Sequence, residues 1–372
     1  MKLRPSPFSW LIVIVATLFL PSQNLAKTTL ADTSQPYRVG VLYWSMNIPG
    51  QVAMRQGLEA TLEKLNSQSG KQGFRSIELI THVAGDGPQG IENQISQMDS
   101  LLDLKPDLII VQPTDNAALA GGLLRANREG IPVVAYDQYI SGKGKLDCFL
   151  TSNNYQAGFH CGEYIASRFD SSQTLKIILV EYPHVSSTVE RVNGFIDGLS
   201  MQNQSFQIAR AYEAVEPVAG KIAAQEIRIQ YPTPGTIQVV FTVNDGGGLA
   251  VVQELYSNGR TEIIIATVDG DPASVQNIRN NRLTVIDSAQ FCWHLGANAM
   301  LAGYHLLIGD IDLPPTILLP VFPITRETMD QYQGWYGDIP EPFTKPWPSN
   351  ETVWKWQLTT PDGDTVVLDG PQ

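Results

Sequence analysis

Leu108 to Asp115 reads LIIVQPTD, an apolar run that turns polar without transition. Leu-Ile-Ile-Val has no polar member to show to water. That suits a strand covered on both faces, as in a parallel sheet between helices. Upstream, Gln89 to Leu104 places Ile91, Ile95, Met98 and Leu101 at helical spacing. Downstream, Asn116 to Glu129 reads as a helix ended by Gly130, and Ile131 to Tyr136 (IPVVAY) as the next strand. Strand, helix and strand at short intervals predict right-handed βαβ units.

The pattern extends both ways. Arg38 to Tyr43 (RVGVLY) and Ile77 to His82 are strands, with a helix over Gln51 to Asn66 between them. A second series follows: a helix within Ser152 to Phe169, a strand at Leu175 to Glu181, and a helix at Glu190 to Met201. Then come a strand at Phe206 to Tyr212, a helix at Val218 to Gln230 and a strand at Thr236 to Phe241. A helix at Gly247 to Ser257 and strands at Glu262 to Val268 and Leu283 to Ile286 complete it. These units are too many for one small open sheet, which leaves two doubly wound lobes or one barrel. From Gly309 the chain changes character and becomes rich in Pro and Trp. Val353 to Leu358 and Thr365 to Leu368 flank Pro361 to Asp364, a hairpin signal.

The bulk numbers set limits. A chain of 372 residues suffices for two domains. Hydrophobic residues at 43% and charged residues at 17% give a globular balance. A formal charge of −12 opposes nucleic acid and anionic membrane surfaces, which select Lys and Arg. Lys2 and Arg4 precede the apolar run Trp10 to Leu20, and small residues follow, with cleavage after Ala26 or Ala31. This is the form of a signal peptide, so residues 1–26 are assigned to export and the mature chain is expected in the periplasm. Cys148, Cys161 and Cys292 fit no zinc spacing. They are read as three unpaired thiols, with a Cys148–Cys161 bridge as the alternative.

Ligands of parallel α/β sheets bind beyond the carboxyl ends of the strands. The residues there are polar at strand after strand. Tyr43, Trp44 and Asn47 follow the first strand, Asp115 the third, and Asp137 and Gln138 the fourth. In the second series Ser187 and Arg191, then Asn244, Asp269 and Gln290, hold the same position. Amides, carboxylates and one Arg offer the paired donors and acceptors that a polyhydroxyl ligand needs, and aromatic faces cover its C–H surfaces. Each Asp or Asn alone reads equally as a helix cap; their recurrence argues for a site. Gly85 to Gly90 (GDGPQG) matches a dinucleotide fingerprint, but Asp107 precedes the next strand instead of ending it, so it reads as a loop. His160 and Glu163 share a helix face and read as a surface pair. No metal, cofactor or catalytic group is expected.

From Tyr37 to Ile324 the chain resembles the periplasmic sugar-binding proteins of the ribose-binding type, whose fold the autoinducer-2 receptor shares. The carriers are Ser45 to Pro49 (SMNIP), Gln112 to Asp115 (QPTD, near the family's NPTD), and Asp137-Gln138, where the family often has Asp-Arg. Thr188 to Phe195 (TVERVNGF), Phe241 to Asp245 (FTVND), Val268 to Gly270 (VDG) and Ala289-Gln290 follow in family order. The resemblance implies the type I periplasmic binding protein fold: two doubly wound parallel-sheet lobes joined by a three-strand hinge. It implies crossings near Ser152, Gln290 and Pro323. The N-terminal lobe is then 36–152 plus 291–322 and the C-terminal lobe 153–290 plus 323–338, with 339–372 a tail outside the resemblance. It gives Asp137 the role of accepting sugar hydroxyls, and Arg191 that of donating to them from the second lobe. Asn244, Asp269 and Gln290 become further polar ligands, and Tyr43 and Trp44 stand in for missing stacking aromatics. The expected partners are a sugar-like small molecule and a membrane permease of the ABC type, with the protein a monomer. The alternatives are a sensor that signals to a membrane histidine kinase or chemoreceptor, and an exported α/β glycoside-processing enzyme.

Overall fold

The computed structural model describes residues 35–72, 75–309 and 313–368. The expected signal peptide lies outside them. The chain runs β1 (Tyr37–Tyr43), α1 (Pro49–Gln72), β2 (Ile77–Val83), α2 (Gly87–Asp103), β3 (Leu108–Val111), α3 (Ala120–Glu129), β4 (Val133–Tyr136) and β5 (Cys148–Ser152). It continues with α4 (Asn154–Ala166), β6 (Leu175–Glu181), α5 (Ser186–Met201), β7 (Phe206–Glu213), α6 (Pro217–Gln230), β8 (Val239–Thr242), α7 (Asp245–Ser257), β9 (Ile264–Asp269), α8 (Pro272–Arg279) and β10 (Thr284–Gln290). Last come α9 (Cys292–Leu307), β11 (Thr316–Leu319), β12 (Val321–Thr325), β13 (Phe343–Thr344) and β14 (Val353–Trp354).

Two six-stranded sheets result, ordered β11-β5-β4-β3-β1-β2 and β12-β10-β9-β8-β6-β7. The first is parallel in its pairings. The second is parallel except where β12 runs antiparallel to β10. In β3 the side chains sort by parity. Leu108 and Ile110 join one core cluster, while Ile109 and Val111 join another on the opposite face. The continuous apolar run is therefore a strand buried on both sides, and the barrel alternative falls. In each sheet the order reverses about one strand: β1 lies between β2 and β3, and β6 between β7 and β8. The carboxyl ends beside β1 and β6 are thus the crevices where doubly wound sheets hold ligands.

The chain passes from the first sheet to the second after β5 and back after β10. The third passage falls at Pro320, between β11 and β12, ahead of the Pro323 expected. Val321 and Phe322 belong to the second sheet, because β12 pairs with β10 from Gln290↔Val321 onward. The division at 322 and 323 is corrected accordingly. Helices α8 and α9 carry no sequence reading.

The tail folds back over the passages between the sheets. Trp354 donates its indole N–H to the Val321 carbonyl at 2.8 Å. Thr359 and Leu318 exchange backbone hydrogen bonds at 2.6 and 3.0 Å, covering the edge of the first sheet at β11. Val353 pairs with Thr344 of β13, while the chain reverses at Pro361–Asp364, with Thr359 bridging Thr365. His160 and Glu163, read from sequence as a surface pair, are both buried. Tail residues cover them: Lys345 Nζ lies 3.2 Å, Trp347 Nε1 3.0 Å and Ser349 Oγ 2.6 Å from the Glu163 carboxylate. The three cysteines are free and buried, so the Cys148–Cys161 bridge is absent.

Candidate functional site

One cleft is lined from both sheets by Trp44, Asp137, Gln138, Ser187, Arg191, Asn244, Asp269 and Gln290. Each lies at the carboxyl end of a strand or in the first turns beyond it.

Asp137 follows β4 in a left-handed conformation, φ 64°, uncommon for a residue with a Cβ and often found at functional sites. Its backbone is tied down by the N–H bond to Leu150 O at 2.8 Å and by Thr151 Oγ1 donating to its carbonyl at 2.9 Å. Gln112 Nε2 donates to the Asp137 carboxylate at 2.9 Å, and Gln112 Oε1 accepts from Trp44 N at 3.3 Å. The Gln that begins QPTD thus orients two cleft residues at once. Asp137 is 4% exposed, and burial raises its pKa above the usual carboxylate value, partly offset by Gln112 and Arg191.

Arg191 enters from α5. That helix lies against α4 because Gly158 has no side chain: a Cβ there would sit 1.9 Å from Arg191 O. Its Nε donates to Asn154 Oδ1 at 2.9 Å, and Nη1 to Val243 O at 2.7 Å and to Asp269 Oδ1 at 3.1 Å. Asp269, also at positive φ (132°), accepts from Gln290 Nε2 at 2.6 Å. Burial pushes the Asp269 pKa up to about 6 against the lowering effect of Arg191. Asn244 lines the cleft and still serves as the cap of α7: its Oδ1 accepts from Gly247 N at 3.2 Å, and its Nδ2 donates to Val215 O at 2.9 Å.

The two sides touch at the rim. Gln138 Nε2 donates to Ser187 Oγ at 2.8 Å, and Ser187 N donates back to Gln138 Oε1 at 3.3 Å. Ser186 N reaches Asn116 Oδ1 at 2.9 Å, and Asn116 N reaches His184 O at 3.1 Å. Trp44 faces Tyr182 with ring centroids 6.5 Å apart. This is a clasped arrangement.

Three expected residues lie elsewhere. Tyr43 sits one position before Trp44 and points the opposite way. It is buried under Arg55, with its phenol 3.4 Å from Glu59. Asn47 donates to Asp86 at 2.7 Å on the exposed side. Asp115 accepts from Ala117 N and Ala118 N at 2.7 and 2.8 Å, a local turn bond. Thr188, which follows a strand end as Ser187 does, lines the cleft as well, and sequence reasoning missed Ile48, Gly50, Gln51, Met54, Val185, Val215 and Cys292, which also line it. For Val215 the signal was available, since it follows the strand end of β7.

A family model described as "Periplasmic binding protein domain" matches residues 39–311. The chain belongs to this family. The periplasmic binding protein is 24% identical to the ribose import binding protein of Bacillus subtilis (strain 168), over 75% of this chain and 87% of that one. Against the ribose import binding protein of Escherichia coli (strain K12) it is 22% identical, over 77% and 90%. Among solved structures it is similar to the Caulobacter myo-inositol binding protein bound to myo-inositol. The TM-score is 0.67 at 20% identity, covering 80% of this chain and 95% of that one. It is also similar to a Mycobacterium smegmatis protein in complex with β-D-fucofuranose, with a TM-score of 0.69 at 18% identity, covering 79% and 93%. These structures share the fold of this binding protein: paired, parallel-dominated sheets with helices on their faces.

Proposed function

We propose that this periplasmic binding protein captures a small polyhydroxyl, sugar-like ligand between its two lobes and presents it to an ABC-type membrane permease. It acts in the periplasm as a monomer, after loss of residues 1–26, and performs no chemistry on the ligand. The observation that carries this reading is convergence: polar side chains from both sheets meet in one cleft, with Trp44 on its wall. Carboxylates and a guanidinium in one narrow space suit the vicinal hydroxyls of a sugar, and an aromatic face suits its C–H surfaces. The relatives named for ribose import and the neighbours bound to inositol and a furanose support the ligand class. Hinge motion would open the clasp to admit the ligand.

The test is a thermal-shift screen of the mature chain against sugars, sugar acids and polyols. At least one compound is expected to raise the unfolding temperature, and Arg191→Ala is expected to abolish that rise. An unchanged rise in Arg191→Ala removes the cleft as the site.

A further inference from the structure

The cleft holds more negative charge and more free acceptors than it can satisfy. Asp137 and Asp269 line it together with a single guanidinium, Arg191. Arg191 is already committed to Asp269 and to the Asn154 and Val243 oxygens. Among the described residues, no ion pair reaches Asp137. Gln290 Oε1 has no hydrogen-bond partner although the residue is only 3% exposed. Behind the wall, Asp245 and Asp287 are also buried; burial raises both, and repulsion from Asp287 and Asp269 pushes Asp245 up further. The nearby Arg55 is spent on Glu59 at 2.9 Å.

A buried carboxylate without a counter-charge is costly, and a closed cleft removes the water that would screen it. A neutral polyol offers hydroxyl donors but no compensating charge. An ammonium group offers three donors and the missing positive charge, and an aromatic ring such as that of Trp44 on the cleft wall favours a cation beside it. We propose that the captured ligand is a cationic polyhydroxyl compound, an amino sugar or amino-polyol, whose ammonium is held by Asp137 and the free Gln290 oxygen. The hydroxyls are left to Asp269 and Arg191. This inference rests on the cleft being the ligand site.

Calorimetric titration of the mature chain at neutral pH tests it. The probes are glucosamine, galactosamine, mannosamine and 1-amino-1-deoxysorbitol, each beside its neutral parent, and the N-acetyl forms of the three amino sugars. One free amine is expected to bind at least about tenfold tighter than both its parent and its N-acetyl form. Asp137→Asn is expected to erase that difference. Gln138→Arg, which places a cation beside Asp137, is expected to erase it as well, so the outcome does not hang on one variant folding. If neutral sugars bind as well as every amine, the inference is overturned and the sugar-binding reading stands. An amine preference that survives both variants overturns the placement at Asp137. Binding by none of the probes overturns the inference, and the thermal-shift screen against sugars, sugar acids and polyols then decides the polyhydroxyl reading.

Discussion

Glu163 and Asp137 are both buried carboxylates, and the protein treats them in opposite ways. Glu163, fully buried on α4, receives a lysine, an indole N–H and a hydroxyl from the tail. Asp137, at the mouth of β4, receives a glutamine amide; among the described residues no cation pairs with it directly, and Arg191 acts on it only through space. The first is a finished interaction, in which each partner's desolvation is offset by the other and geometry is fixed by several donors. The second is left unfinished and is placed where two sheets face each other. The contrast separates burial that holds the fold together from burial that awaits a partner: the tail completes the one, and a ligand would complete the other.

The sharpest way to break this comparison is Glu163→Gln. The substitution keeps the shape but strips the counter-charge from Lys345, whose side chain is 1% exposed. Breaking a buried pair by removing one partner costs about 3–5 kcal/mol, so a large fall in the urea midpoint of the ligand-free protein is expected. An unmoved midpoint would mean that the tail detaches readily and that Glu163 is no more finished than Asp137. The matching change in the cleft, Asp137→Asn, is expected to act with the opposite sign on the ligand-free protein. Removing an uncompensated buried charge leaves the stability level or raises it by up to about 1 kcal/mol, read as an unmoved or slightly higher urea midpoint. A loss comparable to that in Glu163→Gln would place Asp137 among the structural residues.

The two regions also differ in how far the sequence revealed them. The cleft was legible because its residues sit at strand ends, a position that periodicity alone locates: Gln112 follows LIIV, Asp137 follows VVAY and Asp269 follows IIATV. The failures there are local. Tyr43 and Trp44 differ only by strand parity, and Asn47 and Asp115 satisfy nearby loop groups instead of the cleft. The tail was not legible. Glu163 and Lys345 lie 182 positions apart, and a helix-face argument for His160 and Glu163 cannot know that another segment covers that face. Helix α9 was legible in part and went unread. His294, Asn298 and His305 recur at helical spacing on one half-buried face of Cys292–Leu307, while Leu295, Ala299, Met300 and Ala302 are buried. Periodicity records which side of an element meets a core, and it does not say which segment supplies that core.

The smallest expected effect concerns pH. Burial raises Asp269 to about 6 and Asp287 to about 7, both above the reference value of 3.8. The folded protein therefore takes up protons at these groups more readily than the unfolded chain. The stability linked to that uptake is fully present below the reference value and is lost as pH rises through 6 to 7. Acidifying the ligand-free protein from about pH 7.5 to about pH 5.5 should thus raise its melting temperature, by roughly 2–4 °C, and Asp287→Asn should flatten the rise. Ligand binding should move the other way, because protonated Asp269 loses the charge that attracts donors. The ligand-induced shift should therefore shrink over the same interval in calorimetric or thermal-shift titrations. If the ligand-free melting temperature falls and the ligand shift grows on acidification, the cleft carboxylates are already neutralised within the protein. The difference between Asp137 and Glu163 would then be one of partner identity alone.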